Sequence, residues 1–195
     1  MRKRYKILIA LGAILVLFLL LNFPYFWLQA KNLLFGPPQV QHQNSSDAGE
    51  LIEPDILIIE SLGIRAPIVY ADEKMEEAFQ SALANGVVHY PHTALPGEEG
   101  NVYIFGHSSD YVWSKGDYKT VFALLPEAEI GKKIIISNSQ GKAFTYIVTD
   151  KFAAAADDVH LLSQETNGKR ILTLQTSYPI GTALKRYIVI AKLLE

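Results

Sequence analysis

The sequence predicts a mostly β domain, built as a barrel or a sandwich, behind an apolar amino-terminal helix. Two observations predict the β domain. Short segments rich in β-branched residues recur between residues 55 and 192, and turns that contain glycine or proline separate many of them. A third observation predicts the helix, since an apolar run broken only by Asn22 extends over residues 7–23. The chain is therefore expected to carry one globular domain after a hydrophobic segment.

Seven segments of the domain have the composition of strands. They are residues 55–60, 64–69, 101–105, 133–137, 143–149, 170–176 and 184–192. A helix is predicted over residues 73–84, because acidic residues open this segment and apolar residues follow at helical spacing. Residues 121–125 and 157–162 are each predicted to form one or two helical turns. Many short strands with a few small helices favour a barrel or a sandwich, and periodicity alone goes no further.

The apolar amino-terminal segment, residues 7–28, is predicted to be a single-pass transmembrane anchor. About 20 apolar residues in a helix span the hydrocarbon core of a bilayer. Four basic residues precede the segment, which predicts that residues 1–6 are cytoplasmic and that the chain beyond the anchor is extracytoplasmic. A cleaved signal peptide is the alternative, but its apolar core would span about 7–15 residues and end at a small-residue cleavage site. The expected location is therefore the cell membrane.

Residues 29–53 are predicted to be an extracytoplasmic linker, because this stretch is rich in proline, glutamine, asparagine and serine. The folded domain is then expected to cover residues 54–195. From Asp47 onward the chain has 13 basic and 20 acidic residues, an acidic balance that argues against binding nucleic acid through its phosphates. The chain contains no cysteine, which excludes disulfides and thiolate metal sites.

Two segments of the domain resemble a known family. Residues 86–108 read GVVHYPHTALPGEEGNVYIFGHS, and residues 173–189 read TLQTSYPIGTALKRYIV. Their joint order and spacing closely resemble the sortases, bacterial transpeptidases that join surface proteins to the cell wall or to pilin subunits. The family signature has Thr-Leu-x-Thr-Cys, and in several subfamilies an arginine follows nine residues after the cysteine. Here Arg186 follows nine residues after Ser177, which stands at the position of the cysteine.

The resemblance implies a closed eight-stranded barrel, with the nucleophile ending one strand and the arginine on the neighbouring strand. It implies His107, Ser177 and Arg186 as the catalytic residues, gathered at one end of the barrel. In the family, a cysteine thiolate attacks the Thr–Gly bond of an LPxTG-like sorting signal. The histidine then protonates the leaving amine, and the arginine holds the substrate and stabilises the oxyanion. An amine of a lipid-linked peptidoglycan precursor or of a pilin lysine finally accepts the acyl group.

Serine changes the expected chemistry, because a hydroxyl requires a general base at the moment of attack, usually one that a third group orients. The matched motifs offer no carboxylate partner for His107. Two functional classes therefore stay open at the level of sequence. The chain is either a transpeptidase, in which Ser177 is an introduced or a natural and slower nucleophile, or a module that binds sorting signals without turning them over.

No cofactor and no metal site is predicted. His89 and His92 form a possible metal pair with His107, but Pro91 prevents the helix that would bring two histidines to one face. Three acidic residues of one segment resemble a possible calcium site near the barrel rim, although acidic loops are usually only solvated. These residues are Asp157, Asp158 and Glu165.

Overall fold

The structure, a computed structural model, describes residues 2–21, 23, 26, 27, 30, 34, 51–71, 75–110 and 116–194. The chain divides into two compact units, Met1–Gly36 and Pro37–Glu195. Helix α1 (Arg2–Leu21) belongs to the first unit, and every strand of the described residues belongs to the second. Most of the predicted linker, residues 29–53, lies outside the described residues.

Helix α1 confirms helical structure over much of the predicted anchor, residues 7–28. The anchor continues into residues 22, 24, 25 and 28, which lie outside the described residues. No helix within the part of the chain that the structure describes has both the length and the apolar character needed to span a membrane. The expectation of a transmembrane helix is therefore not confirmed.

Eight strands form a closed barrel in the order β1-β2-β3-β4-β7-β8-β6-β5. The strands are β1 (Ile56–Ile59), β2 (Ile64–Tyr70), β3 (Val87–His89), β4 (Gly100–Phe105), β5 (Lys133–Ser137), β6 (Ala143–Ala155), β7 (Arg170–Tyr178) and β8 (Lys185–Leu193). The pairs β2–β3 and β4–β7 are parallel, and the other pairs are antiparallel. The closed eight-stranded barrel implied by the resemblance is thus confirmed, and the sandwich is not formed.

The helical segments of the second unit are short and lie between strands in the sequence. Helix α2 (Glu76–Leu83) occupies most of the predicted helix, and its Ala82 and Leu83 are buried in a cluster with Val88 of β3. The described residues also form three 3-10 helices, η1 (Glu60–Leu62), η2 (Leu125–Glu127) and η3 (Val159–Leu162). Helices η2 and η3 overlap residues 121–125 and 157–162, the two stretches where helical turns were predicted.

Two parts of the barrel differ from the sequence expectation. Strand β3 was not predicted, because it has only three residues and all of them are buried, so no polar alternation marks it. Strand β6 was predicted to end at Thr149, but it continues to Ala155 after a register shift between Val148 and Asp150. The shift lets the polar stretch after Val148 stay in the strand, because a bulge re-aims the side chains without ending the pairing.

The end of the predicted linker contacts the barrel. The Ile52 backbone N–H donates to the Gly141 carbonyl at 2.8 Å. The buried Ser137 hydroxyl donates to the Glu53 carbonyl at 2.6 Å and accepts from the Ile56 backbone N–H at 2.9 Å. These bonds connect residues 52 and 53 to the end of β5 and to the turn that follows it.

Side chains along β7 alternate between the core of the barrel and the face that carries Ser177. Leu172, Leu174 and Thr176 are buried on one face, at no more than 1% exposure each. Gln175 and Ser177 point to the opposite face and are half-buried, because successive side chains of a strand alternate between its faces. The aliphatic core thus fixes β7 in a register that presents residue 177 to the other side.

Candidate active site

His107 lies two residues beyond the end of β4, and its backbone is held on two sides. The Gly106 N–H donates to the Gln175 carbonyl of β7 at 3.1 Å, and the His107 carbonyl accepts from the Phe122 N–H at 2.9 Å. A Cβ atom at position 106 would lie 2.8 Å from the ring of Phe122. Because Phe122 is fully buried, its ring has little room to move, and only glycine fits before the histidine.

Ser177 and Arg186 face each other across two antiparallel strands. Their Cα atoms are direct partners in the β7–β8 register. Residues paired in this way have side chains on the same face of the sheet, within contact distance. The Arg186 guanidinium donates through Nη1 to the carbonyls of Ala183 and Lys185, both at 3.2 Å. These two bonds hold the Nη1 end of the guanidinium near the start of β8.

One cavity of about 330 Å³ contains all three predicted site residues. Its lining comes from α2, β4, β7, β8 and the segment between β6 and η3. The lining residues are Glu76, Phe79, Gln80, Leu83, Tyr90, Tyr103, Phe105, Gly106, His107, Ala156, Asp157, Asp158, Val159, Leu162, Gln175, Thr176, Ser177 and Arg186. The structure therefore brings His107, Ser177 and Arg186 together, while their catalytic roles stay predictions.

Aromatic rings form one wall of the cavity. Phe79 of α2 contacts Phe105 edge-on at 5.1 Å between ring centroids and Tyr90 at 5.7 Å, and Tyr90 contacts Tyr103 at 6.0 Å. The Tyr103 hydroxyl donates to the side-chain oxygen of Gln175. Burial raises the pKa of Tyr103, and the nearby charge of Arg186 acts in the opposite direction. Sequence reasoning missed this wall, because its members come from three separate elements.

The position of the η3 segment, which also lines the cavity, depends on Asn101 of β4. Its amide donates to the Leu161 carbonyl of η3 at 2.9 Å, and its side-chain oxygen accepts from Thr173 at 2.8 Å. Gln164 adds bonds to the Asn101 backbone on both sides, at 3.0 and 3.1 Å. Asn101 is buried and does not line the cavity, so its contribution is to fasten the η3 segment to the barrel.

The carboxylate of Asp110 lies beside His107, and this neighbour was not predicted from the sequence. The Asp110 Oδ2 atom is 3.9 Å from the His107 Nε2 atom. Burial lowers the pKa of His107, and the charge of Asp110 acts in the opposite direction. The neutral imidazole is therefore favoured at neutral pH, and a neutral imidazole is the form that accepts a proton. The sequence shows that the histidine and the aspartate are three residues apart, but this spacing does not predict a contact unless the conformation of the loop is known.

The other histidines and acidic residues considered for metal binding are not assembled into a site. His89 is buried, and its Nε2 atom is 2.9 Å from the Ala94 carbonyl and 3.1 Å from the Thr93 hydroxyl. The Asp158 side chain accepts the His160 backbone N–H at 3.1 Å and so caps η3. Among the residues that the structure describes, no group of three or more potential ligands is placed to hold a metal ion.

Comparisons with known proteins agree with this fold. Residues 57–194 match the Sortase domain family. Sortase D of Bacillus subtilis (strain 168) is 30% identical over 140 residues, which are 70% of this chain and 62% of that protein. The chain thus spans less than two thirds of the length of this curated relative.

Solved structures give the same assignment. A Clostridium perfringens Sortase D5 transpeptidase is 27% identical with a TM-score of 0.58, over 72% of this chain and 78% of that one. Sortase A from Corynebacterium diphtheriae is 23% identical with a TM-score of 0.60, over 75% of this chain and 62% of that one, and supports the fold alone. Because the family match covers more than half of the chain, this protein belongs to the sortase family.

We expect the bond between β7 and the end of β4 to support the site. The Thr176 hydroxyl, 1% exposed, donates to the Gly106 carbonyl at 2.8 Å. Thr176→Val keeps the shape but removes the donor, and loss of a buried partner typically lowers the free energy of unfolding by about 1–3 kcal/mol. Denaturant unfolding of the full chain measures this loss.

Thr166→Val is the matched control, since the Thr166 hydroxyl bonds the Lys169 carbonyl in an exposed turn. We expect the control to change stability by less than about 0.5 kcal/mol, as surface substitutions usually do. Equal losses for the two variants would contradict a special contribution from the Thr176 bond.

Proposed function

We propose that this protein is a sortase-type transpeptidase that cleaves an LPxTG-like sorting signal and transfers the acyl group to an amine. The observation that carries the proposal is the presence of His107, Ser177 and Arg186 in one cavity, in the register expected of the family. Membership of the sortase family supports the class of reaction. The acceptor is an amine of a lipid-linked peptidoglycan precursor or a pilin lysine.

In the proposed reaction, Ser177 Oγ attacks the carbonyl carbon of the Thr–Gly peptide bond. His107 takes the hydroxyl proton as the bond forms and gives it to the leaving amine, which leaves an ester between the threonine carbonyl and Ser177. The acceptor amine then attacks the ester, and its proton returns through His107 to the serine oxygen. Arg186 stabilises the negative charge that develops on the carbonyl oxygen in both steps.

The cavity is suited to an extended peptide with an apolar residue. The aromatic wall of Phe79, Tyr90 and Phe105 offers apolar contact area beside His107, while Arg186 offers charged donors beside Ser177. Binding of the sorting signal depends on this shape and on Arg186. The rate depends on the nucleophile, because a hydroxyl ionises far less readily than a thiol with a reference pKa of about 8.5.

We therefore expect the serine form to recognise a sorting signal but to turn it over slowly. Ser177→Cys should raise transpeptidation by at least about a thousandfold, which corresponds to about 4 kcal/mol of barrier at 1.36 kcal/mol per decade. The measurement is transfer of an LPxTG peptide to an added amine, followed by mass spectrometry. Alkylation of the introduced thiol should abolish the gained activity, and the affinity for the peptide should change little.

His107→Ala in both backgrounds is the control for the base. Comparable turnover by the serine form, abolished by His107→Ala, would show an efficient Ser–His mechanism and contradict the slow serine form. Peptide binding without transfer in either form would instead support a module that only binds sorting signals.

Arg186 is expected to bind substrate even where chemistry is slow. Arg186→Lys keeps the charge but loses the planar fork of donors, and Arg186→Ala loses both. Each should weaken peptide binding by about tenfold or more, since a charge-assisted hydrogen bond contributes about 1.5–3 kcal/mol. Isothermal titration calorimetry with a non-cleavable peptide measures the affinity.

Lys185→Ala is the matched control, because Lys185 is exposed and is the adjacent residue of β8, where side chains alternate between faces. Its affinity should equal that of the unsubstituted chain. Unchanged affinity in both Arg186 variants would remove Arg186 from the binding site.

We also propose that residues 7–28 anchor the chain in the cell membrane, with the amino terminus in the cytoplasm and the barrel outside. Two features support this location. Apolar side chains along α1 are exposed, among them Leu8 at 65% and Ile14 at 63%. Basic residues precede the apolar run, as they do on the cytoplasmic side of membrane helices.

Protease added to intact cells should degrade the barrel, because an extracytoplasmic domain is accessible while cytoplasmic proteins are protected. Immunoblotting with a cytoplasmic marker and a surface marker provides the two controls. Protection of the barrel while the surface marker is digested would contradict the proposed location.

A further inference from the structure

The loop that follows His107 has one buried residue and one hydrogen bond to a second loop. Ser108 is buried at 3% exposure. The Ser109 hydroxyl accepts from the Gly181 backbone N–H at 3.0 Å, which ties this loop to the connection between β7 and β8. Asp110 directly follows Ser109, the residue that is bonded to the neighbouring connection.

The contact between Asp110 and His107 has the geometry of a loose ion pair. Oδ2 and Nε2 are 3.9 Å apart, with side-chain exposures of 21% for Asp110 and 19% for His107. Bonds between catalytic groups are often longer without substrate and shorten in the complex. A carboxylate on Nε2 leaves Nδ1 as the ring nitrogen available to a nucleophile. In the structure the ring is oriented with Nε2 toward Asp110.

The charge of Asp110 raises the pKa of His107, which favours the transfer of a proton to its ring. Other charged groups also line the cavity, namely Glu76, Asp157, Asp158 and Arg186. Burial lowers the pKa of His107, and Asp110 is the charged group that opposes this effect. When His107 takes a proton from the nucleophile it becomes an imidazolium, which a nearby carboxylate stabilises. Asp110 therefore favours the protonated state that follows the attack.

We propose that Asp110 is a positioning residue for His107, which orients the ring and stabilises its protonated form during proton transfer. This inference rests on the proposed transpeptidase function. Asp110 acts through His107 and exchanges no proton itself. The proton moves from the nucleophile to Nδ1 and then to the leaving amine, and none passes to the carboxylate. An oriented His107 matters most when the nucleophile is a hydroxyl, because a hydroxyl needs a positioned general base.

The test compares Asp110→Asn and Asp110→Glu in the full-length chain, solubilised in a mild detergent. Asp150→Asn is the matched control, since it removes the same charge from an exposed position of β6 that does not line the cavity. The first measurement is the His107 pKa by NMR titration, with the resonance assigned from a His107→Gln spectrum. Asp110→Asn should lower this pKa further, while Asp110→Glu and Asp150→Asn should leave it near that of the parent.

The second measurement is the pH profile of kcat/KM for peptide transfer, in the Ser177 and Ser177→Cys forms. Asp110→Asn should lower kcat/KM by at least about tenfold, given that the corresponding change in a Ser-His-Asp triad lowers kcat by about 10⁴. Asp110→Glu should restore most of the activity, and the pH midpoint should follow the His107 pKa. A purely structural role would lower activity without moving that midpoint.

An unchanged His107 pKa in Asp110→Asn would overturn the proposal, whatever the activity. A lowered pKa with unchanged kcat/KM would overturn it as well, because the carboxylate would then not assist transfer. Absence of turnover in every form, including Ser177→Cys, would contradict the proposed function, and the role of Asp110 in transfer would fall with it. The NMR titration would still report the coupling of the two side chains, so the two failures are distinguishable.

Discussion

The parallel pairing of β4 with β7 is the constraint on which the rest of the site depends. Six consecutive residue pairs, from Gly100 with Arg170 to Phe105 with Gln175, align the two strands, so that β4 ends beside Gln175 while β7 continues to Tyr178. The chain then leaves β4 through Gly106 and His107, next to Thr176 and Ser177 of β7. Hydrogen bonds from Gly106 to Gln175 and from Thr176 to Gly106 extend the pairing past the last strand residue. The histidine and the serine are neighbours because the two strands share one register.

The remaining elements surround this pair. Strand β8 adds Arg186 opposite Ser177. The continuation of β6 beyond its register shift pairs Ala154 with Arg186, and the segment that follows lines the cavity. Helix α2 closes another side through Phe79, which packs against Phe105. The site is thus assembled from distant parts of the chain, and long-range strand pairing is what holds them.

The sequence predicts those parts of the fold that have a local signal. Most strands alternate or carry β-branched residues, and their positions were predicted within a few residues. Strand β3 has no such signal, since Val87, Val88 and His89 are all buried. The extension of β6 was missed because a polar stretch at Thr149 and Asp150 is typical of a strand end, and only the pairing with β8 keeps it in the sheet. Closure into eight strands came from the family resemblance, because periodicity does not distinguish a barrel from a sandwich.

The same distinction applies to the site. His107, Ser177 and Arg186 were predicted from the family resemblance, and the structure places them in one cavity, whereas Asp110 and the aromatic wall depend on how loops and helices pack. The close fit of Gly106 against Phe122 determines how the chain leaves β4 before His107. Gly106 and Thr176 flank His107 and Ser177, and the bond between them joins the end of β4 to β7. Because Ser177 is only half-buried, the packing of the barrel places little constraint on whether position 177 carries oxygen or sulfur.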